Sequence, residues 1–304
     1  MPFFYRAYEL LIASDFAIPD LLPASAGAAD VTITLGAIDH APILCDTDFS
    51  HWIASPGHWL IEVRDEVRIE VREGGSVRVE LAPGAEPDIA NSLLLGSALS
   101  ALLQQRGVLP LHASALASPD GAILVAGSSG AGKSTLQTGL ARHGLPVLAD
   151  DITGIVLDAG VPVAVPGFPV VRMWQETIDG FGLDASGQQR VRPDLNKFRM
   201  PVKSFRGTRQ PIRTILILAP HNREDIVLEP MTSSDALYWL NRLTHRKHFY
   251  AANGMRAAHF EILTTLVRDV PVLRLWRPDT GFGVDALAAR VIADLNTLQS
   301  AGAA

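Results

Sequence analysis

Residues 59–81, WLIEVRDEVRIEVREGGSVRVEL, alternate Val, Ile and Leu with Arg and Glu. A period of two places one face of a strand on a core and the other in water. Gly74-Gly75 predicts a hairpin turn between Val67–Val71 and Val77–Leu81. Phe3–Ile12 and Val31–Leu35 read as further strands, and the charged alternation predicts antiparallel pairing with one wet face. The Pro/Gly stretch 82–88 closes this part. Residues 89–107, IANSLLLGSALSALLQQRG, then predict a helix with Asp88 as N-cap and Gly107 as its stop.

From residue 108 the pattern changes to short apolar runs interleaved with helical stretches. Strands are predicted at 108–117, 121–127, 146–151, 152–158, 161–167, 213–220 and 271–276. Helices are predicted at 133–144, 233–245, 254–270 and 284–300. The chain thus divides into a β-rich unit (1–87), a connecting helix (88–107) and an α/β unit with a helical C-terminal part (108–304).

Composition narrows the classes. With 48% hydrophobic and 19% charged residues in 304, the chain folds around a core. The net charge of -6 argues against a nucleic-acid partner, which needs a basic surface, although a local basic pocket is compatible with it. The single cysteine, Cys45, argues against an internal disulfide and against a multi-thiolate metal site. No run of 18 uncharged apolar residues and no basic stretch before an apolar core is found. The expectation is a cytoplasmic protein without a membrane partner.

One motif carries chemistry. Gly127-Ser128-Ser129-Gly130-Ala131-Gly132-Lys133-Ser134, followed by Thr135, matches the phosphate-binding loop G-x-x-x-x-G-K-[ST] between a buried strand and a helix. Its glycines let successive N–H groups point at phosphate oxygens, the helix N-terminus adds positive potential, and Lys133 neutralises the β/γ charge. Ser134 would offer a hydroxyl to Mg²⁺. Asp150-Asp151 ends the first strand after the loop helix, which in a parallel sheet can lie beside the loop strand. One carboxylate would hold the metal, with Asp150 assigned there, and the other would accept a proton, a division that needs two unlike environments. His112 stands alone in an apolar strand, where a histidine is as readily a satisfied core group as a reactive one.

The ordered set LHASAL with His112, then GSSGAGKST, then LPVLADD, resembles the catalytic domain of the HPr kinase/phosphorylase family over about residues 108–220. That family is similar to ATP-dependent phosphoenolpyruvate carboxykinases in its nucleotide core. The resemblance implies an α/β core with a phosphate loop and a mixed sheet, preceded here by a smaller β-rich domain. It further implies ATP and Mg²⁺ as cofactors, with His112 as a phosphate or aspartate partner, Lys133 and Ser134 on the nucleotide, and Asp150/Asp151 as metal ligand and base. The chain departs from the family after the Asp pair, where Val165 or Pro166 occupies the place of an acidic residue. The whole chain resembles a shorter HPr-kinase-like branch, through YRAY, IASDFAIPDL, PGFPVVRMW and VPVLRLWRP. Some members of that branch phosphorylate the C-terminal serine of a lasso-peptide precursor. By that analogy Arg172, Lys197 and Arg199 are candidates to face the phosphoryl group or the acceptor, Arg being suited by its planar fork. Read alone, Arg172 is equally a surface charge beside an anchoring Trp174, and NKFRMPVK (196–203) is more readily a solvated loop.

The expected activity is transfer of the γ-phosphoryl group of ATP to a serine hydroxyl of a peptide or small protein. A homo-oligomer is compatible with the resemblance. Two rivals stand beside it: an ATP-binding regulator that transfers nothing, and a small-molecule kinase on the same core. Residues 244–250, THRKHFY, read as a charged helix end more readily than as a basic-aromatic patch that grips an acidic leader peptide or nucleotide, and His245, His248 and His259 lack zinc spacing.

Overall fold

In the computed structural model, which describes residues 1–39, 50–85, 87–192, 195–222, 224–279 and 283–302, the first strands are β1 (Phe3–Ala7), β2 (Leu10–Ser14), β3 (Leu22–Pro23) and β4 (Val31–Leu35). They are followed by β5 (Ser50–Ser55), β6 (His58–Val63), β7 (Val67–Arg72) and β8 (Ser76–Leu81). Cys45 lies outside the described residues. All eight strands join one sheet in the order β3-β1-β2-β4-β8-β7-β6-β5.

Three expectations change here. Phe3–Ile12 is not one strand but a hairpin, folded at Tyr8-Glu9, both with positive φ. The charged strands β6, β7 and β8 do pair antiparallel, but the sheet as a whole is mixed, because β4 runs parallel to both β2 and β8. Its outer face is not simply wet: Glu70 is buried between His58 and Arg72, and Arg68 reaches both Glu62 and Glu80. Opposite charges placed along and across neighbouring strands pair off on this face.

The connecting helix starts earlier and is less regular than predicted. α1 (Pro87–Leu93) begins at the proline, whose missing N–H costs nothing at a first helical position; Asp88 therefore falls inside the first turn rather than at the cap. A π-helical turn, Leu94–Ala98, leads into α2 (Leu99–Gln105). Gly107 does stop the helix, at φ 76, with its N–H on Gln104 C=O and that of Val108 on Leu103 C=O.

Next come β9 (Leu109–Leu111), β10 (Ala113–Ser118), β11 (Gly121–Ala126), α3 (Lys133–Arg142), β12 (Val147–Ala149), β13 (Thr153–Asp158) and β14 (Val161–Val165). The chain continues through β15 (Val170–Trp174), α4 (Gln175–Gly180), β16 (Lys197–Pro201), β17 (Gln210–His221) and β18 (Val227–Pro230). It ends with α5 (Ser233–Leu243), α6 (His248–Ala252), α7 (Arg256–Asp269), β19 (Val272–Pro278) and α8 (Val284–Gly302). The predicted strand 108–117 is broken at His112. The predicted loop at 196–203 contains a strand, β16, which pairs with β15 in a two-stranded ribbon.

The second sheet runs β12-β10-β11-β17-β14-β13-β9, with β19 beside β17 and β18 beside β19. Among the described strands of this sheet, parallel pairing joins β11 to β17 and β17 to β19, and the rest pair antiparallel. Leu136 and Leu140 of α3 and Leu287, Ala288 and Val291 of α8 cover one face. Leu240 and Leu243 of α5 with Leu263 and Leu266 of α7 cover the other, so this is a layered α/β fold. A third apolar cluster joins the two sheets: Ile69, Val71 and Val79 pack with Leu102 and Leu103, and with Ile152, Val165, Phe168 and Phe249. No described helix is long and apolar enough to cross a membrane.

Candidate active site

β11 delivers the chain to Gly127, and the loop turns into α3 at Lys133. Gly130 and Gly132 take φ 79 and 95, which a side chain strains to adopt. The first α-helical bond closes from Leu136 N–H to Gly132 C=O, so the N–H groups of Lys133, Ser134 and Thr135 are unspent within the helix and open towards the loop. Ser128, Ser129 and Gly130 form the exposed tip, and Thr135 is tied at 3.1 Å to Thr177 of α4. Arg277, at the end of β19, grips the outside of the loop: its Nε and Nη2 donate to Ala131 C=O at 3.0 and 2.8 Å. Nothing local in the sequence marks this arginine, whose partner is more than 140 residues away.

Lys133 is 7% exposed and its ammonium is fully used. It donates to Gly127 C=O (3.1 Å) and Ser128 C=O (3.2 Å), and meets His112 Nε2 at 3.0 Å. An ammonium has only donors, so Nε2 accepts and the ring proton sits on Nδ1. That Nδ1–H donates to Asp151 C=O at 2.9 Å and lies 3.4 Å from Asp151 Oδ1. The break between β9 and β10 makes this possible. β9 pairs with β13 while β10 pairs with β11 and β12, and His112 sits at the crossing with its own N–H on Leu243 C=O. Burial pushes the His112 pKa down; Asp151 opposes this and Lys133 reinforces it, so the ring is neutral. Burial likewise lowers Lys133, against the pull of Asp151 and Asp150.

The Asp pair does not lie beside the loop strand. β10 stands between β12 and β11 and is antiparallel to both, so the two outer strands still run the same way and open at one edge. There Asp151 has φ 63, and Ile152 N–H closes back on Asp150 C=O at 2.7 Å, a three-residue turn. Such a backbone costs about 1–3 kcal/mol and sends two adjacent carboxylates into different surroundings. Asp150 is buried at 6% exposure, with Oδ1 accepting from Ser114 hydroxyl (3.1 Å) and Oδ2 from Arg172 N–H (2.8 Å). Burial first, then the Asp151 charge, raise its pKa. Asp151 is the open one, 3.5 Å from Arg172 Nη1. Burial would raise it too, but His112 and His245, protonated in the acid range where Asp151 titrates, together with Arg172 and Lys197 outweigh that and hold its pKa below the usual range.

The β15–β16 ribbon supplies the cations. Arg172 is directly opposite Arg199, and Trp174 opposite Lys197. Arg172 is no surface charge: it is 8% exposed, whereas Trp174 is 45% exposed. Lys197 lies 5.6 Å over the Trp174 ring and close enough to bias His112, Lys133, Asp150 and Asp151. Arg199 is buried and engages Asp20 of the first sheet (3.7 Å), Gln189 Oε1 and Val191 C=O. His245, set aside in the sequence for want of metal spacing, also joins the site. Its ring lies 6.0 Å from that of His112, its Nδ1 is 2.6 Å from Ser100 Oγ, and burial holds its pKa down to about 4.

The donor set fits a nucleotide and its ion. Glycine-shaped backbone, unspent N–H groups and a buried lysine match a polyphosphate. No cluster of three His, Cys, Asp or Glu among the described residues could hold a metal unaided; Mg²⁺ takes one or two protein oxygens and completes its shell with phosphates and water. Of the two oxygens expected to meet it, the Ser134 hydroxyl stands half-buried in the first turn of α3, whereas both Asp150 oxygens already accept within the protein.

No family model matches this sequence, and no curated protein matches it. Among solved structures, the HPr(Ser) kinase/phosphatase from Coxiella burnetii is similar over 63% of this chain and 98% of that chain, at 10% identity and a TM-score of 0.33.

Proposed function

We propose that the protein is an ATP-dependent kinase that phosphorylates a hydroxyl group, in a serine of a peptide or small protein. The observation that supports this best is Asp151: an open, ionised carboxylate held by His112 and Arg172, with Lys133 of the phosphate loop one hydrogen bond further on through His112. ATP with Mg²⁺ on Ser134 and Asp150 would supply the phosphoryl group and part of the charge neutralisation. The loop N–H groups and Lys133 bind and orient the phosphates, with Lys133 exchanging its Gly127 and Ser128 carbonyls for phosphate oxygens. Asp151 accepts the hydroxyl proton as the oxygen attacks, at an Oδ kept in place by the Nδ1–H of His112 and the Arg172 guanidinium. Arg172 and Lys197 offset the charge that spreads over the transferring group. Trp174 and Lys197, side by side on the ribbon, offer an acceptor peptide an apolar and a cationic contact; a C-terminal serine, whose carboxylate suits Lys197, is the acceptor we favour.

The test is incubation with γ-labelled ATP and serine-terminated peptides, with mass mapping of the product. Lys133→Ala should abolish labelling, and Asp151→Asn should abolish it while nucleotide binding persists. Normal labelling by the Asp151 variant would remove the base assignment; ATP binding without any acceptor-dependent ADP release would favour a regulator instead.

A further inference from the structure

We infer that Tyr8, at the tip of the β1–β2 hairpin, is a positioning residue for the Asp150–Ile152 turn, so that the amino-terminal sheet completes the catalytic centre; its kinetic consequence rests on the kinase reading above. The first observation is the hairpin itself. Ala7 pairs with Leu10, which leaves Tyr8-Glu9 as a two-residue loop with φ 51 and 62. Loops of this kind favour Asn-Gly or Asp-Gly, and a bulky tyrosine with positive φ persists only where its surroundings impose it.

Those surroundings belong to the second sheet. Tyr8 is buried, its N–H donates to Pro166 C=O at 2.8 Å, and its hydroxyl donates to Ile152 C=O at 2.8 Å. The ring occupies a slot between two glycines. A Cβ on Gly154 would stand 3.1 Å from its Cδ1, and one on Gly167 would stand 3.5 Å from its hydroxyl and 3.3 Å from Ala149 Cβ. Neither glycine has a left-handed φ, so each is there for room rather than for backbone freedom. Glu9 secures the same tip by an ion pair with Arg209, which also reaches Asp158.

The contact acts on the reacting carboxylate through the backbone. Three successive carbonyls are held: Asp150 by Ile152 N–H, Asp151 by His112 Nδ1–H, and Ile152 by Tyr8 hydroxyl. The strained turn at Asp151 and the strained loop at Tyr8 thus brace one another. Burial keeps the phenol protonated throughout the physiological range, so the donor to Ile152 never switches off. The segment PGFP, conspicuous in the sequence but without a role in the phosphate site, is the receptor for this wedge.

Tyr8→Phe removes one oxygen and tests the idea, with Tyr250→Phe as the control. Tyr250 is equally buried, and its hydroxyl also donates to a backbone carbonyl, that of Val108 at 3.2 Å. Imidazole ¹⁵N spectra at one pH, with His112 assigned through His112→Gln, read the tautomer independently of any activity. We expect the Nδ1–H form in the parent and in Tyr250→Phe, and a mixture of tautomers in Tyr8→Phe. MgATP affinity should stay within about twofold, because α3 and the loop pack elsewhere, while kcat falls roughly tenfold or more at unchanged KM for ATP. Gly154→Ala, which presses the ring and keeps the hydroxyl, should shift the His112 signal in the same direction. An unaltered His112 spectrum in both Tyr8→Phe and Gly154→Ala would overturn the proposal, as would an equal change in Tyr250→Phe. A shifted spectrum in a protein that labels no acceptor would uphold the positioning role and sink only the kinase reading.

Discussion

Asp150 and Asp151 differ by one position and by almost everything else, and substitutions should separate them. Asp150 answers two donors, Ser114 hydroxyl and Arg172 N–H. Asp150→Ala strands both in a buried place and should cost about 1–3 kcal/mol in chemical denaturation. Asp150→Asn keeps an acceptor for Arg172 N–H and can donate to a rotated Ser114 hydroxyl, so its stability should stay within about 0.5 kcal/mol of the parent. The phosphate loop and the Asp pair were legible in the sequence because their residue types and spacing are local. His245 and Arg277 were not, since each is defined by a partner brought up by the fold: Ser100 for one, Ala131 for the other.

At the level of elements, the phosphate loop depends on a close approach from the far side. A Cβ on Gly132 would need a strained φ and would stand 3.1 Å from the Arg277 guanidinium. Gly132→Ala should therefore weaken MgATP binding about tenfold or more by calorimetry, the loss expected when backbone donors no longer converge on a phosphate. The main elements of the second sheet follow apolar runs and were readable: β11, β13, β14, β17 and β19 fall where periodicity puts them. What escaped was set by distant contacts. The break at His112 exists because β9 and β10 pair with different partners. The ribbon β15–β16 joins segments separated by α4 and the residues after it, and places Arg172 opposite Arg199. The turn at Tyr8 carries no Asn or Gly to announce it.

For the molecule as a whole, burial sets the response to acid. His112, His245, His248 and His259 are all held below the ordinary histidine pKa, first by desolvation. Each binds a proton more readily when unfolded, so its contribution is complete above about pH 6.5 and is lost as pH falls towards about 4, the value for His245. Asp150, raised by burial, acts with the opposite sign, and Asp151 with the same sign as the histidines at lower pH. Thermal melts should therefore show Tm falling steadily between pH 7 and 4.5, with a shallower slope in His245→Gln; a flat profile would refute this account.

The helix between the two sheets has its own consequence at this scale. Ala90 and Leu94, ahead of or at the start of the π turn, face the first sheet's core, while Ser97 bonds Arg246, Ser100 meets His245, and Gln104 holds the carbonyls of both. The wide turn adds about one residue over a regular α-helix, and each residue is worth about 100° of rotation. Winding Leu94–Ala98 as a regular α-helix without shortening it would swing the whole following face out of phase with its partner. The two halves of this protein are thus keyed to one another by the pitch of one turn, and descendants of the chain could exchange side chains along that helix far more freely than they could rewind it.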